Sequence, residues 1–435
     1  MNKKTSPSAD LCSKFIGLAI KHQGWYGMMQ IRVNSVISTT SADDLLGGSS
    51  ARGGGIYNLG GSLGGTVTLI NSIVQVNTVG TLTVGALQGN GSGIYNDHGT
   101  VTLISSSVYA NSPANVGGGI FNTEGGTVTL TQSTVAGNFA FGPGGGIFNQ
   151  GTLTATDSTI SENSSVAGPA TGPGGGGIYN GPGNVTLSFT TVAHNSGGGY
   201  VSYNSYGEGG SLILKNSILA EHGEDGNCDI YNTSAVSEGH NLSDDTSCGF
   251  LATGYTTDLN DTLAGLDPRG LMNNGGPTQT IALLPVSRAI DVIPLSDCTD
   301  ASGNPVKTDQ RGVPRPQGPG IPRLGRAFAC DIGAFEYFQS QDQIVAVQTY
   351  GLMDAVQSSP LLPAPKLGLT VLLQATVDAV NRGNNSLATG ELKLFVGSVN
   401  LLVRAGALTQ QLGSTLTTPA QAIIQTLSEG GTGLQ

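Results

Sequence analysis

Gly53-Gly54-Gly55-Ile56-Tyr57-Asn58 is the first of five closely related phrases that decide the fold of this chain. The other four begin at Gly91 (GSGIYN), Gly117 (GGGIFN), Gly144 (GGGIFN) and Gly175 (GGGIYN). Successive phrases start 26 to 38 residues apart, which is the period of a stacked repeat protein. The sequence therefore predicts a solenoid in which each phrase marks one coil.

Each repeat holds three segments that alternate like half-buried strands. The first is the phrase itself, whose isoleucine is predicted to face inward and whose aromatic residue is predicted to face outward. These columns are Ile56, Ile94, Ile120, Ile147 and Ile178, and Tyr57, Tyr95, Phe121, Phe148 and Tyr179. The second segment alternates polar and apolar residues and starts at Thr66, Thr100, Thr127, Asn184 and Ser211. The third has an Asn three positions after Val or Ile, as in Val108 to Asn111.

Two asparagine columns accompany the strands. The first, predicted to form a structural ladder, comprises Asn58, Asn96, Asn122, Asn149 and Asn180. The second comprises Asn111, Asn138, Asn163 and Asn195. Stacked amides hydrogen-bond from coil to coil, and asparagine tolerates left-handed backbone angles, so both columns are predicted to form corners.

A single repeat cannot bury its apolar edge, whereas stacked repeats pair every strand with the neighbouring coils at about 4.8 Å. The predicted fold is mainly β, a parallel β-helix of roughly seven or eight coils and about 35 Å in length. This count includes a degenerate first coil over Ile31 to Leu46 and a further one over Ser211 to Leu219. Residues 10 to 22 are predicted to form a helix that caps the N-terminal end.

Composition narrows the possible functions. The chain has 435 residues, 68 of them glycine, and a formal net charge of −11. That charge disfavours nucleic acids and anionic membranes, which attract basic surfaces. The sequence has no run of about 18 apolar residues, so no transmembrane helix is predicted. The apolar stretch Phe15 to Ile20 is shorter than a signal-peptide core, and an incomplete N-terminus is one explanation.

The cysteines favour an oxidising compartment. Cys228 with Cys248, and Cys298 with Cys330, are predicted to form two structural disulfides, which leaves Cys12 unpaired. Four reduced thiols are the alternative.

Residues 225 to 338 lose the repeat and carry other motifs. These are Asn227-Cys228, Asn241-Leu242, Ser247 to Phe250, Asn273 to Thr278, Ala289 to Asp291, Asp309 to Pro316 and Cys330 to Tyr337. This set resembles the C-terminal part of bacterial surface proteins called choice-of-anchor Q proteins. The upstream coils are similar to the repeats of polymorphic outer-membrane proteins. Both resemblances imply a right-handed, pectin-lyase-like β-helix at the cell surface or outside the cell, and the preferred crossover of parallel strands has the same hand.

Charged residues recur near the end of this region. Arg311 and Arg315 are predicted to pair with Asp309, Asp331 or Glu336 and to close the bottom of the rod as a structural cap. A carboxylate-binding site is the alternative.

The last segment changes its period from two to about three and a half. Apolar residues at this spacing run from Leu372 to Leu427, with breaks at Gly383-Asn384 and Ala405-Gly406, and predict a helical hairpin or bundle. The segment is similar to the FIMAH modules of secreted bacterial proteins, which implies a role in attachment. Pro419 predicts that the last helix is kinked or begins near Thr418.

Parallel β-helices include polysaccharide-degrading enzymes, which need clustered carboxylates, a strong base or a bound cation. Register places His98 near Glu124, and Glu162 near His194, on adjacent coils where either pair could exchange protons. Isolated polar pairs on a rod surface are usually solvated, so no catalytic residue is assigned.

Calcium and zinc sites need particular ligand spacings. Six aspartates offer oxygen ligands for calcium, although their spacing fits no known loop. They are Asp225, Asp229, Asp244, Asp245, Asp258 and Asp261. The sequence has no pair of Cys or His residues at zinc-site spacing, so no cofactor is predicted.

Four regions follow from these patterns. They are an N-terminal segment (1–30), the β-helix repeats (31–224), a loop-rich end of the β-helix with its cap (225–338) and a small α-helical domain (339–435). The predicted function is a non-enzymatic, adhesin-like scaffold, secreted or on the cell surface, that contacts glycans or other surface proteins. The alternative is a polysaccharide lyase or glycoside hydrolase, which a groove gathering three or more charged groups would favour.

Overall fold

The computed structural model describes two compact units. The described residues are 29–32, 35–38, 41–42, 51–60, 64–79, 89–166, 174–203, 210–222, 226–231, 234–250, 257–316, 329–337, 341–382 and 384–429. Those up to 337 belong to the first unit and those from 341 onward to the second, next to the predicted boundary at 339. The predicted capping helix over residues 10 to 22 and Cys12 lie outside the described residues.

Three long sheets of parallel, in-register strands form the first unit, which confirms the predicted parallel β-helix. Sheet 1 contains Ile56–Leu59, Ile94–Asp97, Ile120–Asn122, Ile147–Asn149, Ile178–Asn180, Tyr200–Tyr203 and Cys228–Tyr231. Sheet 2 contains Met29–Arg32, Thr66–Ile70, Thr100–Ile104, Thr127–Thr131, Thr152–Thr156, Asn184–Ser188, Ser211–Lys215 and Ser234–Ser237. Sheet 3 contains Val36–Ser38, Ile73–Gln75, Ser107–Tyr109, Thr134–Ala136, Thr159–Ser161, Thr191–Ala193, Ile218–Ala220 and Leu242–Ser243.

Short elements complete this unit. Parallel pairs join Ser41–Ala42 to Thr78–Val79, Ala51–Arg52 to Gly89–Asn90, and Phe139–Ala140 to Ser164–Ser165. Beyond the coils, Ile293–Pro294 pairs antiparallel with Ala329–Cys330, and Leu295–Asp297 forms a 3₁₀ turn. Residues 257–316 and 329–337 are called the strap below.

The isoleucine column lies inside the β-helix, as predicted: Ile94, Ile120, Ile147 and Ile178 are fully buried, and each pairs with the next in register. Two coils differ from the prediction. In the coil that begins at Gly144, the second strand, Thr152–Thr156, was missed because Ala155 replaces the usual leucine. Another coil, from Cys228 to Ser243, extends the β-helix past residue 224. Phe250 follows that coil and joins the interior cluster, so it fills the C-terminal end of the core.

Left-handed backbone angles mark the corners, but the ladder asparagines do not adopt them. In the second column the angle falls on the residue before each Asn, namely Ala110, Gly137, Glu162 and His194. At the corner between sheets 2 and 3 it falls on Asn71, Ser105, Gln132, Asp157, Phe189 and Asn216. The prediction that the ladder asparagines adopt left-handed angles was wrong. Each asparagine side chain stabilises its corner through hydrogen bonds, while a neighbouring residue adopts the unfavourable left-handed angle.

The described residues of the second unit form four helices, α1 (Gln341–Ser358), α2 (Pro363–Asn381), α3 (Asn385–Arg404) and α4 (Gln410–Glu429). Helix α2 starts with Pro363 at its first position, where a missing N–H costs no hydrogen bond. The predicted start of the last helix near Thr418 is wrong, since α4 runs through Pro419. Leu416 and Ala420 are both buried in the helical core, and this packing holds the helix across the proline.

Helix α3 is long and apolar enough to cross a membrane by length and composition alone. The criterion of about 18 unbroken apolar residues did not detect it, because Glu391 and Lys393 interrupt the run. In this structure its Leu392, Phe395 and Val399 are buried in the core that the four helices share.

Candidate functional site

Five aromatic rings stack along the outer side of sheet 1. Their centroids are 5.5 Å apart for Tyr57 and Tyr95, 4.8 Å for Tyr95 and Phe121, 4.8 Å for Phe121 and Phe148, and 5.1 Å for Phe148 and Tyr179. Each inner ring covers the faces of its neighbours, so Tyr95 and Phe121 are buried although they point away from the core. Tyr57 stands at the N-terminal end of the stack and is 44% exposed.

Polar side chains surround this end ring. The Tyr57 hydroxyl donates to Asp97 Oδ2 at 2.7 Å, and Arg52 Nη1 lies 3.6 Å from the same oxygen. His98 Nδ1 lies 2.6 Å from Asp97 Oδ1. The Arg52 guanidinium is also 5.2 Å from the centre of the Tyr95 ring. Arg52, Tyr57, Asp97 and His98 are called the Tyr57 cluster below.

Strand register explains how the cluster assembles. Tyr57 pairs with Tyr95 on the next coil, so Asp97, two residues further along, is its diagonal neighbour on the same face. His98 follows directly, and its left-handed φ of 55° ends the strand and turns its side chain toward Asp97. The sequence analysis missed Arg52 and Asp97 because neither belongs to a repeated column.

Hydrogen bonding decides the charge state of Asp97. Burial alone would raise the pKa of this carboxyl, but the bonds from Tyr57 and His98 outweigh burial and hold the pKa below its ordinary value. Burial raises the pKa of the Tyr57 phenol, and the neighbouring Asp97 carboxylate adds to this shift. The cluster therefore presents a carboxylate and a neutral phenol at neutral pH.

The two predicted proton-exchange pairs have other partners. His98 contacts Asp97 on its own strand, while Glu124 is exposed. Glu162 accepts a hydrogen bond from the backbone N–H of Leu271 in the strap at 3.1 Å. His194 Nε2 lies 3.3 Å from Glu221 Oε2, one coil further on.

The first asparagine column forms a continuous ladder. Each Nδ2 donates to the Oδ1 of the next residue at 2.7–2.8 Å from Asn58 through Asn96, Asn122 and Asn149 to Asn180. All five residues are buried. Their amides are satisfied within the protein, so this column supports the coils and offers no ligand contact.

The second column forms a similar ladder with one substitution. Asn77, Asn111, Asn138, Asn163 and Asn195 are linked at 2.9–3.0 Å. His222 occupies the next position, where its Nδ1 accepts from the Asn195 backbone N–H at 3.1 Å and its Nε2 contacts the Val192 carbonyl. Burial lowers the pKa of His222 to about 4, which keeps the ring neutral. The sequence analysis missed Asn77 and His222.

The predicted structural-cap residues come together in the strap. Arg311 Nε donates to Asp309 Oδ2 at 2.8 Å. Arg315 is fully buried, and it donates to Glu336 Oε2 at 2.9 Å and to Asp157 Oδ1 at 3.3 Å. Asp331 accepts from the backbone N–H groups of Asp291 and Tyr337.

This cluster lies against the side of the β-helix, which corrects its predicted place at the bottom. Gln310 in the strap bonds Thr134 and Thr159 on sheet 3, and the Thr191 hydroxyl accepts from the Ala334 N–H. Outward-facing apolar residues of sheet 3 form a second core with the strap. Because the two arginines donate to groups of the chain itself, they fasten the strap and do not form an open carboxylate site.

Both predicted disulfides are present, Cys228–Cys248 and Cys298–Cys330. The first adjoins the end of the interior core, and the second lies within the apolar core between strap and sheet 3. The first therefore ties the segment after the last coil to the β-helix, and the second joins the two parts of the strap.

Three of the calcium candidates serve as loop acceptors. Asp244 and Asp245 accept from Asn227, and Asp258 accepts from Ser237 and Asn241. Asp225 lies outside the described residues. Among the residues that the structure describes, no group of three or more His, Cys, Asp or Glu side chains could hold a metal ion.

Comparisons of the chain with protein families, with curated proteins and with solved structures found no match. The fold therefore rests on the geometry above, and the resemblances rest on the quoted motifs alone.

Proposed function

We propose that this protein is a secreted or cell-surface β-helical scaffold that contacts glycans through the Tyr57 cluster. One observation carries the proposal: the exposed Tyr57 ring ends the aromatic stack beside a guanidinium, a carboxylate and an imidazole. Aromatic rings pack against the apolar faces of sugars, while planar polar side chains bond their hydroxyl groups.

Rigidity supports this role. Four further rings and a buried asparagine ladder stand behind Tyr57, so little conformational freedom is lost when a ligand binds. A single shallow contact gives weak affinity, which becomes strong when many chains are displayed on one surface. The two disulfides suit an extracellular location, and we propose the four-helix unit as the attachment module.

A polysaccharide lyase or hydrolase is the second candidate. It is favoured by the contact between Asp97 and His98, because a carboxylate can orient an imidazole as a general base. Glycoside hydrolases instead use two carboxylates. Among the described residues, Asp97 supplies the one carboxylate within the Tyr57 cluster, so we rank the enzyme below the scaffold.

Glycan-array binding by the purified chain tests the proposal. We expect Tyr57→Ala to abolish the binding seen for the native chain, and Tyr109→Ala to preserve it. Tyr109 is a matched control because it is similarly exposed on sheet 3. Binding that survives Tyr57→Ala would refute the assigned site. Release of reducing or unsaturated sugar ends that disappears in His98→Gln would favour the enzyme instead.

A further inference from the structure

Sheet 2 carries a regular grid of threonines on its outer face. One row consists of Thr66, Thr100, Thr127 and Thr152, and a second row of Thr68, Thr102, Thr129, Thr154 and Thr186. Members of each row are in-register partners on successive coils, while the apolar residues between the rows are buried. The two rows contain no charged residue.

The grid has two defined spacings. Neighbouring coils are about 4.8 Å apart and residues two positions apart on a strand about 6.6 Å. Ordinary sheets twist by about 20–25° per strand. The rings of Tyr57 and Tyr95, on the first two coils of the grid, are 27° apart. The rings of Tyr95, Phe121, Phe148 and Tyr179, on the coils that carry the other seven threonines, deviate from parallel by only 4–10°. These four coils therefore rotate little against each other, and the grid is close to planar from Thr100 to Thr186.

The hydroxyl groups of the grid are available to an external partner. Thr66 donates to the Gly64 carbonyl at 3.3 Å, but the other eight hydroxyls have no hydrogen bond within the described part of the chain. On sheet 3, by contrast, the threonine hydroxyls have partners within the chain. The hydroxyls of Thr134, Thr159 and Thr191 all bond to the strap. The strap thus covers one threonine-bearing sheet and leaves the other accessible.

We infer that this threonine grid binds the surface of ice. Its two spacings approximate the repeats of oxygen positions along two perpendicular directions of the hexagonal ice lattice. Threonine hydroxyl groups held at those intervals can hydrogen-bond water molecules at lattice positions. The adjacent methyl groups offer no hydrogen bond, which limits other arrangements of the bound water. An uncharged, planar face also matches an uncharged crystal, which lacks the counterions that charged side chains require.

Adsorption of the fluorescently labelled chain to growing ice crystals, together with inhibition of ice recrystallisation, tests this inference. The key variant is Thr102→Lys, which places a charged side chain within the grid. Ser107→Lys is its control, because Ser107 lies on sheet 3 of the same coil with comparable exposure. Melting temperatures of both variants establish that they are folded.

We expect the native chain and Ser107→Lys to coat the ice, and folded Thr102→Lys to lose most of its adsorption. Failure of the native chain to adsorb would overturn the inference, as would equal adsorption by both variants. Binding to crystalline cellulose or chitin without ice adsorption would also overturn it. The grid and the Tyr57 cluster are on different sheets, so Tyr57→Ala should leave ice adsorption unchanged.

Discussion

Arg315 Nη2 donates a hydrogen bond to Asp157 Oδ1 at 3.3 Å across 158 residues of sequence. Asp157 occupies a left-handed corner between sheets 2 and 3, and Arg315 belongs to the strap. The guanidinium also lies 4.5 Å from the centre of the Phe189 ring, at the corner of the next coil. This buried contact is one of several polar links between the strap and the repeats, beside those of Gln310 to Thr134 and Thr159.

The contribution of Asp157 to the free energy of unfolding should fall as the pH rises toward neutrality. Burial raises the pKa of its carboxyl to about 7 from 3.8, and the nearby Arg315 only partly opposes the shift. Between these values the folded chain binds the proton and the unfolded chain does not. The stabilisation is therefore complete below the unfolded pKa and is lost as the pH rises through the folded one. In Asp157→Asn the slope of unfolding free energy against pH should change by up to about 1.4 kcal/mol per pH unit.

Urea unfolding at intervals from about pH 5 to pH 8 measures these slopes for the native chain and the variant. Parallel curves would contradict the assignment of a proton to Asp157.

Replacing Arg315 with methionine should destabilise the first unit by about 3–5 kcal/mol, because it leaves buried carboxylates without their cation. Arg269→Met is the control. Its guanidinium bonds Asp267 at 2.6 Å but is 68% exposed, so its loss should not measurably change stability. Chemical denaturation followed by circular dichroism distinguishes the two. Equal effects would mean that the strap is not fastened through Arg315.

The asparagine ladder should be sensitive to interruption at its centre. Asn122→Ala removes the acceptor of Asn96 and the donor to Asn149, at about 1–3 kcal/mol for each buried group left unpaired. Asn184→Ala, at an exposed position on sheet 2, should have little effect. A small loss for Asn122→Ala in thermal unfolding would show that water replaces the missing amide.

The second disulfide should contribute substantially to stability. Replacing Cys298 and Cys330 with alanine opens a link between residues 32 positions apart, which should cost about 3–4 kcal/mol. Alkylation of protein taken directly from its native source, followed by mass spectrometry, should label neither pair before reduction. Labelling of Cys228 or Cys298 without a reductant would argue against an oxidising compartment.

The repeats were predictable because their signals are local. Ile94 and Val101 recur at fixed positions in each unit, and strands of identical pattern pair in register. The strand with Ala155 was missed because one small residue breaks the pattern. The left-handed backbone angle at Glu162 could not be predicted, because glutamate has no preference for turns. The angle was instead predicted for the neighbouring Asn163, since asparagine tolerates it.

The strap and the candidate site were much less predictable. The partners of Arg315 were expected among nearby residues, but Asp157 comes from the middle of the repeats, and no periodicity connects the two. In the Tyr57 cluster the ring was part of a recognised column, whereas Arg52 reaches it through a short strand pair outside the three main segments. Contacts that depend on tertiary packing therefore escaped a sequence-based analysis.

Spin–spin interaction between labels on adjacent coils tests the parallel β-helix most directly. Nitroxides are attached to Thr100→Cys with Thr127→Cys, or to Thr100→Cys with Thr131→Cys, with Cys12 replaced by serine. Parallel register places the first pair about 5 Å apart and the second about 14 Å apart at the backbone. We predict strong spectral broadening for the first pair and clearly weaker broadening for the second. Stronger broadening for the second pair, as antiparallel strands would produce, would contradict the fold and the functional proposals built on it.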